Sequence, residues 1–491
     1  MGGSGTIIPA RMSLSVRPEP SQIECAFSYN GEELSRRPAP LPNQELLEAY
    51  RSDINSVAAG YSAQGSGVQR MRLQLRKTIP RSVAAFVRDA VLQGPEARTL
   101  ALEIMLNDPE ILDPYPWELL SDGGLLVDRR IAVTVWRSVP APKFSRLPSS
   151  SVLLVGSASF DTTSTDAAGE IAVLAQILKN CVGIHPFGRP RITFADFLDL
   201  LTALEPSIIH IVTHGNINGF QFQEEPEASR SHVDIPPQEL GAYLAESSTA
   251  NLVLLNACHS ASSWDDRASM ARPSMARRIA TTSSTTTIGM STEIPNIVGF
   301  DFSKSFFQAL VSGDSLIEAF GAAVHTIRQQ KKFSTLWSTL VMNAPPDSNV
   351  VLFPADPMGR MRLRFQELGR QLRQLDLETG ALTGYAIPQA PDGPPNMGAV
   401  KIRLAYIRDL LDELEVSALK GPERLRARLF LTQVQNHAGQ ALAQLQIMLG
   451  NLQDSHRSRE QRGEQARSIR LALGEQIRAF TQLEREFSDT R

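Results

Sequence analysis

Four short apolar runs punctuate the middle of the chain: Val152-Leu153-Leu154-Val155, Ile208-Ile209-His210-Ile211-Val212, Leu252-Val253-Leu254-Leu255 and Thr286-Thr287-Ile288-Gly289-Met290. They show little polar alternation, the pattern of strands buried on both faces. Between them, helical periodicity predicts helices over Ile171 to Leu178, Phe194 to Leu204, Pro237 to Leu244 and Ser274 to Ala280. Two longer helices are expected over Val298 to Val311 and Ser315 to Gln329. Strand–helix alternation of this kind predicts a parallel, doubly wound sheet with helices on both faces. Sites in such sheets form at the carboxyl ends of strands.

The flanks read differently. Residues of about 12–145 form a mixed α/β segment. A helix is expected over Asn43 to Ala59, with Pro42 and Asn43 as start signals, and strands over Thr99 to Leu106 and Ile131 to Trp136. A Pro/Ser-rich linker runs from Pro140 to Ser151. After Pro357, Met361, Phe365, Leu368, Leu372 and Leu375 repeat at 4-3-4-3 spacing, and three further apolar stripes follow. Four helices with short or flexible connections predict an antiparallel bundle. The expected organisation is a cloning leader or disordered segment over 1–12, an N-terminal α/β half over 13–145, a catalytic domain over 151–355, and a C-terminal helical bundle over 357–491. The Pro/Gly-rich stretch 383–398 is read as a flexible linker, leaving the first helix with the catalytic domain while the other three move.

Composition narrows the function classes. With 42% hydrophobic and 21% charged residues the chain is an ordinary globular protein. The net charge of −3 asks for neither nucleic acid nor an anionic membrane. No apolar run reaches the roughly 18 residues of a membrane span, and no secretory signal pattern opens the chain. Cys25, Cys181 and Cys258 are too few and too scattered for a disulfide framework or zinc site, which suits the reducing cytoplasm. From Pro357 onward, twenty Lys/Arg against sixteen Asp/Glu give +4. Docking against the acidic remainder is therefore favoured, subject to salt screening.

Two strand ends carry the candidate chemistry. One apolar strand runs into Thr213-His214-Gly215, and another into Asn256-Ala257-Cys258-His259-Ser260. In a parallel sheet both emerge at one edge. A thiol needs a base to become a nucleophile at neutral pH, and histidine titrates nearest that range. Cys258 is read as nucleophile and His214 as base, with the N–H groups of Gly215 and Cys258 as an oxyanion hole. Cys25 and Cys181 are read as small core hydrophobes, His210 as a core residue of its strand, and His259 as pointing away from the thiol.

The pair His214-Gly215 and Ala257-Cys258, each behind an apolar block, resembles the caspase-like cysteine peptidases. The Pro116-Trp117-Glu118-Leu119-Leu120 block and Leu255-Asn256-Ala257-Cys258-His259-Ser260 are similar to motifs of the CHAT family within that group. One departure is the Ser/Thr-rich run Thr281 to Thr287, where small and apolar residues are usual. The resemblance implies a caspase-like α/β sandwich, a non-catalytic half plus a catalytic half, with Trp117 as a core anchor. It implies a Cys/His endopeptidase that needs no cofactor or metal. It also implies a substrate pocket lined by Asn256 and the loop after the first strand, where Asp161 could pair with a basic side chain; a basic or a small apolar residue before the cut is expected, not an acidic one. Many bacterial relatives act in antiphage defence or cell death and cleave a protein partner such as a gasdermin. No nucleic-acid partner and no membrane insertion are expected. The C-terminal helices, with Arg360, Arg362, Arg364, Arg370 and Arg373 on the first, are read as a docking surface for a regulatory partner or trigger. The alternative is a catalytically silent scaffold.

Overall fold

In the computed structural model, residues 7–19, 21–61, 66–92, 99–121, 132–140, 151–157, 166–179, 181, 184–215, 219–224, 232–247, 250–262, 273–346, 348–354, 357–385, 397–413, parts of 432–447 and 459–489 are described. The N-terminal half holds β1 (Ile7–Val16), β2 (Gln22–Tyr29), β3 (Glu32–Pro40), α1 (Gln44–Ala58), α2 (Ser66–Arg76), α3 (Arg81–Leu92), β4 (Thr99–Leu106), the one-turn α4 (Pro109–Leu112) and β5 (Ala132–Ser138). The second half holds β6 (Ser151–Ser157), α5 (Ala167–Lys179), β7 (His185–Arg189), α6 (Phe194–Leu204), β8 (Ile208–Thr213), a hairpin of β9 (Phe220–Gln223) and β10 (His232–Ile235), and α7 (Pro237–Ser247). It continues through β11 (Leu252–Asn256), α8 (Met275–Ser283), β12 (Thr286–Met290), α9 (Asn296–Ser312), α10 (Leu316–Gln329) and β13 (Leu340–Ala344). Among the described residues three long helices follow: α11 (Pro357–Tyr385), α12 (Met397–Glu413) and α13 (Arg459–Asp489).

The two halves share one sheet of eleven strands, in the order β3-β2-β1-β4-β5-β13-β12-β11-β8-β6-β7. Strands β12, β11, β8, β6 and β7 are mutually parallel. So are β1, β4, β5 and β13. The polarity reverses where β13 meets β12 in antiparallel register. The carboxyl ends of β12, β11, β8, β6 and β7 therefore lie at one rim, and those of β4, β5 and β13 at the other. Every residue of β6, β8, β11 and β12 is buried, as their unbroken apolar runs require.

Local signals account for the helix boundaries. Asn43 accepts from the Leu46 N–H and starts α1. Thr193 does the same for α6 through Asp196. Ser315 and Glu318 form both bonds of a capping box at α10. The Ser/Thr run is accommodated because its buried hydroxyls donate to backbone carbonyls: Thr281 to Arg277, Ser283 to Ile279, and Thr285 to Ala250.

The block around Trp117 anchors the N-terminal half. Trp117 is fully buried and its indole N–H donates to the Leu112 carbonyl at 2.8 Å. Glu118 forms a two-bond pair with the buried Arg137 of β5 at 2.7 and 2.8 Å, and Asp113 takes a third guanidinium bond at 2.9 Å. The other carboxylate oxygen of Asp113 accepts from the Ser274 N–H at the start of α8. This charge cluster joins the two halves of the molecule.

The C-terminal helices do not keep a core to themselves. Phe365, Leu368, Leu372 and Leu375 of α11, Leu404 and Ile407 of α12, and Leu473 and Ile477 of α13 share one apolar cluster with Leu200, Leu201 and Leu204 of α6. Arg403 on α12 is fully buried; it pairs with Glu378, bonds Gln371 and donates to the Thr202 carbonyl. Arg370 on α11 pairs with Glu205 and donates to the Leu204 carbonyl at 3.0 Å. The second helix is thus docked as firmly as the first, contrary to the expectation that only the first stays. Of the arginines expected to hold a partner, Arg370 and the buried Arg364 are turned into the molecule, and Arg373 is exposed. Among the described residues no helix is long and apolar enough to cross a membrane.

Candidate active site

Strands β8 and β11 are neighbours, with Val212 opposite Asn256 as the last pair of their parallel register. Two residues beyond that pair lie His214 and Cys258. Both chains turn sharply there. After β8 the chain folds back through a bridge between Gly215 and Phe220, and the His214 carbonyl accepts from the Gln221 N–H. Thr213, buried beneath, donates to the Ser157 carbonyl and bonds the Gln221 carbonyl. After β11 the turn places His259 in the left-handed region at φ 59°, an unusual conformation for a residue with a side chain. The turn is tied to the end of β12: the Ser260 hydroxyl accepts from the Met290 N–H and the Ala261 N–H donates to the Met290 carbonyl.

The two strand ends nearly touch. A Cβ on Gly215 would lie 2.4 Å from the Cys258 carbonyl oxygen and 3.2 Å from the Ala257 Cβ, so only glycine fits there. The cysteine side chain is half-buried. Burial pushes the Cys258 thiol pKa up; a hydrogen bond from the Ile294 N–H pulls it down, and the Glu293 carboxylate adds to the rise. The resting side chain is therefore a thiol at neutral pH. Nε2 of His214 is buried and has no hydrogen-bond partner among the described residues. An imidazole nitrogen without a partner among the described residues thus stands at the strand end beside the one carrying the thiol.

The remaining candidates fall out as follows. Asn256 is buried; its amide donates to Glu170 of α5 at 2.7 Å, and a Cβ on Gly299 of α9 would lie 2.6 Å from its Oδ1. Asp161 lies outside the described residues. His210 is a core residue, bonded through Nε2 to Glu170 at 2.7 Å and set against the Phe307 ring. His259 is 3.6 Å from the exposed Glu293. Cys25 and Cys181 are buried, and burial pushes the Cys25 thiol up to about 12.

Sequence reasoning missed three residues that support the two strand ends. The Ile294 N–H donates from a loop that no motif marks. Thr292, in the same loop, donates to Asn55 of α1 and so brings the N-terminal half to the site. Glu170 links the two active strands from below through His210 and Asn256; an acid in the first turn of a helix ordinarily reads as a solvated capping charge.

Comparison with known proteins places these observations in a family. A family model described as the CHAT domain matches residues 74–376. Among solved structures, the X-ray structure of a secreted C11 cysteine protease from Bacteroides thetaiotaomicron in complex with an irreversible peptide inhibitor is similar at 11% identity. It covers 53% of this chain and 82% of that one with a TM-score of 0.28, too low to bear on the site. No curated protein matches the chain. The family match spans more than half of the chain, and the protein belongs to the CHAT family.

Proposed function

We propose that the protein is a caspase-like cysteine endopeptidase with Cys258 as nucleophile and His214 as base. The observation that carries this reading is the register of β8 and β11, which brings the ends of both strands together at one rim with only glycine-sized space between them. In the reaction, His214 takes the Cys258 proton and the sulfur attacks the scissile carbonyl. The resulting oxyanion is held by the N–H groups of Gly215 and Cys258, each such donor being worth roughly 3–4 kcal/mol. His214 then protonates the leaving amine, and water hydrolyses the thioester. Because Cys258 rests as a thiol, proton transfer to His214 accompanies attack.

Asn256 would line the pocket for the residue before the cut, with Asp161 favouring a basic side chain there. The substrate is proposed to be a protein partner, a gasdermin among the candidates, in cytoplasmic antiphage defence or cell death. The C-terminal helices would recruit a regulator or sense a trigger. Their docking through Arg370 and Arg403 supports action from a fixed position on the α6 face. The test is incubation with candidate protein substrates and sequencing of new N-termini. Cleavage by the native protein and its absence in Cys258→Ala support the reading. Cleavage that survives Cys258→Ala refutes it, and no cleavage of any partner would favour the silent scaffold.

A further inference from the structure

A second cleft opens at the rim of the sheet opposite Cys258, where β4 and β5 end and α7 and α8 pass over them. Its volume is about 570 Å³, and its wall includes Asn107, Ser138, Gln238, Arg277, Arg278 and Thr282. The rest of the wall is largely apolar and includes four prolines. Two arginines line the cleft, and none of the described residues lining it is acidic.

Arg277 is the telling residue. Its side chain is only 3% exposed. Nη2 donates to the Ser138 carbonyl at 3.3 Å, but Nη1 has no hydrogen-bond partner among the described residues. The nearest acid, Asp113, is 3.9 Å from Nη1. Both oxygens of that carboxylate are already engaged, one by Arg137 and the other by the Ser274 N–H, each at 2.9 Å. Burial lowers the Arg277 pKa; Asp113 opposes the shift and Arg137 adds to it. A buried guanidinium with an unspent donor is costly to keep unless something accepts from it.

We propose that this cleft binds a small molecule carrying a carboxylate or phosphate on an apolar body. Arginine is suited to planar recognition of either anion. The hydroxyl of Thr282 and the amide of Gln238 supply further donors, and the proline-rich wall takes the apolar part. The cleft shares no residue with the thiol site. It adjoins that site through α8, whose Ala276 N–H donates to the carbonyl of Ser260, two residues after Cys258. The ligand is thus an effector and not a substrate.

The test uses phenyl phosphate as probe, titrated calorimetrically into the full chain and into Cys258→Ala. Both proteins are expected to bind it at one saturable site, so the result stands apart from the peptidase reading. Arg277→Gln should weaken binding roughly tenfold or more, the loss of one charged hydrogen bond. Gln238→Trp, at an exposed position on the wall, should weaken it comparably by filling the cleft, and decides the matter should Arg277→Gln fail to fold. Phenol should not bind. Absence of saturable binding to the native chain overturns the proposal. So does unchanged affinity in the folded variants, or equal binding of phenol.

Discussion

The Arg137 cluster and the Cys258 rim are both polar and both sheltered, yet they are built to opposite rules. Around Arg137 the guanidinium nitrogens are committed to Glu118, Asp113 and the Asp113 and Tyr115 carbonyls. Burial alone would lower the Arg137 pKa, and the two carboxylates more than offset that. At the Cys258 rim, Nε2 of His214 has no hydrogen-bond partner among the described residues, and burial pushes the Cys258 thiol pKa up. Buried polar groups that serve the fold find partners. Those left open cost stability; under the proposed function, Nε2 of His214 is left open to take the Cys258 proton.

Breaking the open end of this comparison should have the largest effect. Cys258→Ala and His214→Ala are each expected to lower the rate of cleavage of a protein substrate by at least about 10⁴-fold with little change in melting temperature, and the double variant should be no worse than either. Additive losses in steady-state kinetics would mean that the two residues do not work as a unit. Breaking the closed end should act on stability. Glu118→Ala leaves the Arg137 charge buried with one partner fewer, a loss of about 3–5 kcal/mol in urea unfolding. Replacing Glu118 and Arg137 together by methionine should recover most of that loss; failure to recover would place the cost in packing. The smallest effect belongs to a fully satisfied helix cap. Ser315→Ala removes the capping box of α10 and should cost about 1 kcal/mol by the same measurement.

The same contrast marks what was legible in the sequence. Strands β6, β8, β11 and β12 announce themselves because burial on both faces demands unbroken apolar runs, and the candidate residues stand where those runs stop. The edge strands do not. Strand β3 carries Arg36, Arg37, Pro38 and Pro40 with its side chains largely exposed, and β7 is His-Pro-Phe-Gly-Arg. Proline is tolerated at a sheet edge and hides the strand from pattern reading. Strand β13, Leu-Val-Met-Asn-Ala, carries the buried Asn343 within it, which cuts its apolar run to three residues. The heptad stripes after Pro357 correctly gave helices but not what they bury. A stripe of Leu and Phe fits a bundle core and the α6 face equally well, and only the buried Arg403 distinguishes them. Glu170 and Ile294 were invisible because their partners lie 86 residues away in the first case and engage only a backbone N–H in the second.

The central claim is that His214 activates Cys258. It is tested most directly by following labelling with a peptide-based thiol-reactive inhibitor across pH and locating the adduct by mass spectrometry. In the resting protein the Cys258 pKa is raised, so a thiolate formed without help appears only above the ordinary thiol range of about 8.5. The account predicts a single adduct, on Cys258 and not on the buried Cys25 or Cys181, formed readily at neutral pH. In His214→Ala that adduct should be lost at neutral pH and return as pH rises through the alkaline range. An adduct on another cysteine, or labelling of Cys258 at neutral pH that is indifferent to His214, would contradict it.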